Sequence, residues 1–353
     1  MKGWCISWPL LLRMSCLGLG LVLLPGRPAG EHAPLVATFS IVGYDSETGE
    51  LGVAVQSKFP NVRPIVPWAQ AGVGAVATQS YAELDYALKG LALMANGATA
   101  EEALRIVLRE DAGRELRQVG IVDAQGNAAS WTGTACFPWA GGRVGQQEGN
   151  AKAATPGMVV TGYGYTAQGN ILVSEETVVA MARAFEATQG PLAERLLAAL
   201  KAGQEAGGDR RGQQSAALLV VRKGAGYDGL DNYIDLSVYD HPRPIEELMR
   251  LYELNKLYFS PGRPEDLIPV TPEIARELQQ IWKERGFYDG PVNGVVDATF
   301  QRILIDFMGW ENYDMRIPAV EAVNLAAGDT LKIDRVMLEH IRQVHREGRW
   351  IPR

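Results

Sequence analysis

A hydroxyl side chain that opens a β-strand directly after a small residue could do chemistry without help from elsewhere. Thr38 begins the apolar run Thr38–Gly43 (TFSIVG) and follows Ala37. If the chain is cut between them, Thr38 carries a free α-amino group with an ordinary pKa of about 7.7–8.0. That amine can accept the proton of its own residue's hydroxyl, so nucleophile and base come from one residue. The competing reading is a β-branched strand threonine with no chemical role.

Other nucleophile and metal systems lack their residues. The sequence has no GxSxG elbow, no glycine-rich loop ending in Lys-Ser/Thr and no HExxH helix. Between Thr38 and position 260 the one histidine is His241, so a zinc site with two or three histidines cannot be built there. His241, between Asp240 and Pro242, reads as a turn residue, and His340 and His345 in the last helix read as solvated. Cys136, in TGTACFPW, reads as a buried, inert thiol. Asp228, Asp231 and Asp235 do not have the spacing of an EF-hand loop and read as a solvated turn. No cofactor or metal is called for.

Strands and helices must hold Thr38 in place. Thr38–Gly43 and Leu51–Ser57 (LGVAVQS), joined by the turn-rich YDSETGE, predict a hairpin whose far end brings Ser57 back to Thr38. Gly72–Thr78 predicts a further buried strand, and Val119–Val122 with Ala128–Thr132 a second hairpin. Ala100–Glu110 has helical period with Thr99 as its cap; Val178–Ala187 and Leu192–Lys201 predict two amphipathic helices. Ser215–Arg222 and Tyr233–Val238 predict strands, and Ile245–Tyr258 a helix. Strand pairs alternating with helices predict mixed sheets with helices packed outside. The Pro/Gly break Ser260–Pro264 marks a boundary, after which Thr271 caps a helix with Pro272 at its first position and a second helix starts near Asp297.

Composition narrows the function classes. The 353 residues are 47% hydrophobic and 21% charged with a net charge of −7, which excludes a disordered chain and a general affinity for nucleic acid. Lys2 and Arg13 lead into Leu17–Leu24 (LGLGLVLL), a secretory-type segment too short for a bilayer span of roughly 20 residues. The expectation is therefore an exported protein, periplasmic or extracellular. Cys5 and Cys16 depart with that segment, so the mature chain keeps Cys136 alone and no internal disulfide.

Four ordered segments carry a family resemblance: Ala37–Tyr81, Val122–Cys136 (VDAQGNAASWTGTAC), Gly207–Arg222 (GGDRRGQQSAALLVVR) and Tyr239–Leu248 (YDHPRPIEEL). Together they resemble the domain-of-unknown-function 1028 family, grouped with the N-terminal nucleophile (Ntn) hydrolases. The resemblance implies an α+β fold, a four-layer αββα sandwich, over residues 38–260. It also implies Thr38 as nucleophile, with Gln56, Ser57 and Lys58 closing the second strand beside it. Thr78 and Gln79, ending the next strand, become oxyanion or substrate contacts. Each partner keeps a plainer reading: Lys58 as a solvated strand-end lysine, and Asp209, Arg211 and Gln214 as either substrate ligands or an ion-paired corner fixing a loop.

Residues 261–353 form a small helical module, and ELQQIWKERGFYDGPVNGVVDATFQRILIDF within it resembles the peptidoglycan-binding domain family. That resemblance places a wall glycan or stem peptide at Phe287, Tyr288 and Asp289, though Asp297 stands where the family usually has glycine. A structural cap is the alternative. The expected function is an exported amidohydrolase acting on a small amide, held at the wall by its C-terminal domain. The rivals are a non-catalytic envelope ligand-binding protein and a purely structural envelope protein. A homo-oligomer is left open. Processing decides between them: cleavage after Ala37 frees the Thr38 amine, whereas cleavage near Ala29 or Gly30 leaves Thr38 internal.

Overall fold

The computed structural model describes residues 35–36 and 38–350. The secretory segment and the Ala37 side of the processing bond lie outside the described residues. The first half of the chain runs through β1 (Leu35–Val36), β2 (Thr38–Tyr44), β3 (Leu51–Ser57), β4 (Pro67–Gln70), β5 (Gly74–Tyr81), α1 (Asp85–Ala95), α2 (Ala100–Glu110), β6 (Arg117–Asp123) and β7 (Asn127–Thr132). Next come β8 (Gly141–Val144), β9 (Lys152–Ala154), β10 (Val159–Tyr163), β11 (Tyr165–Gly169), α3 (Glu176–Ala187), α4 (Leu192–Glu205), β12 (Ser215–Val221), β13 (Asn232–Val238) and α5 (Pro244–Phe259). The remainder holds β14 (Leu267–Pro269), α6 (Pro272–Glu284), α7 (Ala298–Trp310), α8 (Ile317–Glu321), β15 (Lys332–Asp334) and α9 (Arg335–Arg346).

Two antiparallel sheets carry the main domain. One has the order β1-β5-β6-β7-β10, with β4 sharing the β5 edge; the other has the order β13-β12-β3-β2-β11-β8-β9. On one side, Tyr86, Leu91, Leu104 and Val107 of α1 and α2 pack on Val76, Val119 and Ile121 of the first sheet. On the other, Val178, Met181, Phe185 and Leu196 of α3 and α4 pack on Phe39, Ile41 and Ala54 of the second. A third cluster joins the two sheets, with Val42, Val53 and Val55 meeting Ala75, Ala77 and Val122. Strand β3 is buried along its whole length, which is why its sequence reads as a nearly unbroken apolar run rather than an alternation.

Local chemistry explains where elements begin and end. The β2–β3 turn is held by Asp45, whose Oδ1 accepts from the N–H groups of Glu47 and Thr48 at 2.9 Å, while Gly49 takes φ +73°. That turn sets the register Thr38↔Ser57 at the other end. Thr99 caps α2 through a reciprocal box with Glu102, and Thr271 caps α6 with Pro272 following. Helix α1 has no local signature in the sequence, because its N-terminus has no side-chain cap and Gly90 interrupts its pattern.

Beyond the sheets a separate core forms from Leu278, Trp282, Phe300, Leu304, Phe307 and Ile341. Helix α5 belongs to both regions: Ile245 and Leu248 join the main-domain core, and Leu257 joins the C-terminal one. The Pro/Gly break at Ser260–Pro264 therefore follows a shared helix, and the described residues form a single compact unit. No helix among the described residues is long and apolar enough to cross a membrane. Asp235, expected in a solvated turn, instead takes both nitrogens of the Arg63 fork, at 2.5 and 2.6 Å.

Candidate functional site

Residues on β2 alternate between two environments. Phe39 and Ile41 face the helices, whereas Thr38, Ser40 and Val42 face the other sheet. Thr38 is fully buried. Its Oγ1 lies 2.9 Å from the carbonyl of Val36 and 3.0 Å from Ser57 Oγ. A hydroxyl has one proton and a carbonyl only accepts, so the threonine hydroxyl points at the chain that precedes it.

Around Thr38 lies a layer of uncharged polar side chains between the sheets. Gln79 Nε2 donates to the Thr38 carbonyl at 3.3 Å and to Gln118 Oε1 at 2.8 Å, and Gln79 Oε1 accepts from Ser40 at 2.7 Å. The backbone N–H of Asn170 also donates to the Thr38 carbonyl, at 3.0 Å, and its Nδ2 reaches Gln118 Oε1 at 2.9 Å. Gln118 Nε2 donates in turn to Thr132 Oγ1 and the Gly169 carbonyl at 2.9 and 2.8 Å. Gln168 Nε2 donates to Ser40 Oγ at 2.7 Å. Thr38 is thus held from β3 by Ser57, from β5 by Gln79 and from Asn170, the residue that follows β11. A buried carboxamide is costly wherever a donor or acceptor is left without a partner.

The expected site residues divide by strand parity. Ser57 and Gln79 join Thr38 in this layer. Thr78 does not: it sits one residue from Gln79, so its hydroxyl faces the other way and donates to the Glu83 carbonyl at 3.1 Å. Gln56 stands opposite Phe39 on the helix side, with Nε2 3.5 Å from the Gly212 carbonyl. Lys58 lies past the strand end, exposed, and donates to the Gln213 carbonyl at 3.4 Å. Neither Gln56 nor Lys58 touches Thr38.

The loop 209–214 docks on the same end of β3, because the Gln214 N–H donates to the Ser57 carbonyl at 3.0 Å. Within it Asp209 is buried and accepts from Arg211 Nη2 at 2.8 Å, Nε at 3.1 Å and its N–H at 2.8 Å. These contacts make an ion-paired corner at the start of the loop. Gln214 Nε2 turns outward to Asp240 at 2.9 Å. His241 Nδ1 accepts from the Arg243 N–H at 3.1 Å, a turn contact. Cys136 is buried, and burial pushes its thiol above the ordinary range. Ser40, Gln118, Gln168 and Asn170 were missed, although carboxamides within apolar strands such as RQVGIVD and YTAQG were the available signal.

Residues 38–248 match the family of unknown function DUF1028. The chain belongs to the DUF1028 family. A DUF1028 protein of Silicibacter pomeroyi, known from a crystal structure, is similar with 30% identity and a TM-score of 0.53, over 62% of this chain and 89% of that one. Anbu, the ancestral β-subunit from Yersinia bercovieri, aligns with 14% identity and a TM-score of 0.31, over 62% of this chain and 94% of its own. No curated protein matches the chain.

The DUF1028 match ends before a second candidate site. Phe287, Tyr288 and Asp289 line a cleft of about 610 Å³ with Thr299, Arg302, Ile303, Asp306 and Trp310. A hollow of about 200 Å³ adjoins it and shares Tyr288, Thr299 and Ile303. Phe287 and Tyr288 are half-buried: Phe287 packs edge-on against Phe307 and Trp310, and Tyr288 Oη donates to the Pro291 carbonyl at 3.0 Å. The open aromatic is Trp310, 54% exposed. Asp297 caps α7 by accepting from the Phe300 N–H at 2.8 Å.

His340, expected to be solvated, is half-buried and hydrogen-bonded through Nδ1 to Tyr313 Oη at 2.8 Å. Burial, with Arg349 nearby, lowers its pKa below the ordinary 6.5. The folded DUF1028 protein therefore keeps His340 neutral where the unfolded chain would already bind a proton. This contribution is complete above about pH 6.5 and is lost as pH falls through the depressed value. Urea midpoints measured from pH 7.5 down to 5 should fall less steeply for His340→Gln than for the parent; equal slopes would refute the assignment.

Proposed function

We propose that this DUF1028 protein is an exported amidohydrolase of the Ntn type, a four-layer αββα sandwich with Thr38 as its nucleophile. The observation that carries the reading is the position of Thr38: first residue of the family match, first residue of β2, side chain turned between the sheets beside Ser57. After cleavage at Ala37–Thr38 the free amine takes the hydroxyl proton as Oγ1 attacks the substrate's amide carbonyl. The amine then returns the proton to the departing nitrogen, leaving an ester on Oγ1 that water hydrolyses. The layer around the amine is made of hydroxyls and carboxamides, so burial favours its neutral, basic form. The new amine also brings donors to a layer in which Gln168 Oε1 and Asn170 Oδ1 have no hydrogen-bond partner among the described residues.

Gln79 and the Asn170 N–H act in this scheme as positioning groups on the Thr38 carbonyl. Lys58 and Thr78 have no step in it. A second reading, a non-catalytic ligand-binding protein, draws on the Thr38 hydroxyl being occupied by the Val36 carbonyl while the leader is attached. Intact mass of the exported protein separates the two. A chain starting at Thr38 supports the hydrolase, and one starting at Glu31 without later trimming removes its base.

For residues 261–353 the reading is a wall-binding module using the Trp310 cleft. The full chain should co-sediment with purified peptidoglycan, and Trp310→Ala should weaken that binding about tenfold, the value of one aromatic stacking contact of about 1.4 kcal/mol. A folded chain that stays in the supernatant would leave this region a structural cap.

A further inference from the structure

Two residues of the segment before the nucleophile are built into the fold. Leu35–Val36 pairs antiparallel with the end of β5, in the register Leu35↔Tyr81 and Val36↔Ser80. Strand β4 occupies the same edge of β5 only along Gly74–Ala77. The edge beyond Thr78 therefore has the leader as its neighbour. Val36 is 1% exposed and belongs to the apolar cluster between the sheets. The chain then passes from the first sheet to the second, since β1 belongs to one and β2 to the other. At the crossing, the Val36 carbonyl accepts from Thr38 Oγ1 at 2.9 Å.

We infer that the edge of β5 at Ser80–Tyr81 is a peptide-binding site, which takes the acyl side of an extended peptide substrate as an added strand. The leader is its first occupant. This rests on the reading of Thr38 as nucleophile, because only that reading empties the site. Cleavage before Thr38 would release Leu35–Val36 and leave β5 without its neighbour there, together with an apolar hole the size of a valine. A sheet edge recognises backbone of any sequence, while a pocket under alternate side chains supplies selectivity. The residue in the hole is the second before Thr38 in the leader, and its carbonyl reaches the hydroxyl. A peptide in the same place is thus laid across the nucleophile, with an aliphatic, β-branched residue favoured at that position. The ligand class is a short peptide rather than a free amino-acid amide, which could not span both the edge and the nucleophile.

The test uses the full chain, so it does not depend on catalysis. Val36→Asp places an uncompensated charge in the apolar hole and should drive the leader off β5. A dansyl-labelled Leu-Val-Ala peptide should then bind saturably to that variant, at least tenfold more tightly than to the parent, whose site is filled. Leu-Asp-Ala should bind at least tenfold more weakly than Leu-Val-Ala. If Val36→Asp fails to fold by circular dichroism, Val36→Gly replaces it, loosening the leader by removing its buried anchor. Equal binding to parent and variant, no binding to a folded variant, or indifference to Val against Asp in the peptide would each overturn the proposal. Loss of the hydrolase reading would instead appear as retained activity in Thr38→Ala, a readout separate from the binding of peptide to the Val36 variants.

Discussion

Thr38→Ala, in a chain that begins at residue 38, should lower amide hydrolysis by about a thousandfold or more. The nucleophile is lost outright, and residual rate comes only from substrate binding and the surrounding dipoles. The melting temperature should move by no more than a few degrees, because the main partner of the hydroxyl, the Val36 carbonyl, leaves with the leader. Thr38→Ser should retain measurable activity, since it keeps both the hydroxyl and the amine. The same chain extended by even one residue should be inactive, because an amide nitrogen has no lone pair available to accept the proton. Turnover of peptide amides carrying a β-branched aliphatic residue, followed by release of the amine, is the measurement. Undiminished turnover by Thr38→Ala would remove the nucleophile assignment.

Arg316→Met should be the most damaging single substitution in the C-terminal region. Arg316 is buried and donates through Nε to Asp334 at 3.2 Å and through Nη1 to the carbonyls of Leu257 and Ser260, the latter at 2.7 Å. It therefore ties the end of the shared helix α5 to the start of α9, where Asp334 also accepts from the Met337 N–H at 3.0 Å. Removing one partner of a buried ion pair leaves the other charge unpaired, at a cost of about 3–5 kcal/mol. The urea midpoint should fall accordingly. The double variant Arg316→Met, Asp334→Asn should recover part of the loss, because the uncompensated charge is gone. A single-variant loss below about 1 kcal/mol would show that water replaces the arginine.

Much of the frame was legible in the chain itself. The hairpin ends at Thr38 and Ser57 follow from two apolar runs and a turn of Asp, Ser, Glu, Thr and Gly, all local features. The caps at Thr99 and Thr271 follow from side chains that satisfy backbone donors within three residues. The ion pair of Asp209 with Arg211 is likewise a contact between near neighbours in sequence. The strands Gly141–Val144 and Tyr165–Gly169 escaped notice because glycine and polar residues dilute their pattern.

The sequence by itself determined that Thr38 opens a buried strand, that Ser57 returns beside it, and that no local motif supplies another nucleophile. Only the tertiary structure decided which neighbours share its side of the sheet. In a β-strand one residue of register reverses every side chain, so Gln79 and Ser57 meet Thr38 while Thr78 and Gln56 turn to the helices. The Gln118, Gln168 and Asn170 layer depends on contacts between strands far apart in the chain, as does the bond from Tyr313 to His340. Such pairings are set by how whole sheets and helices pack, and local sequence carries no record of them.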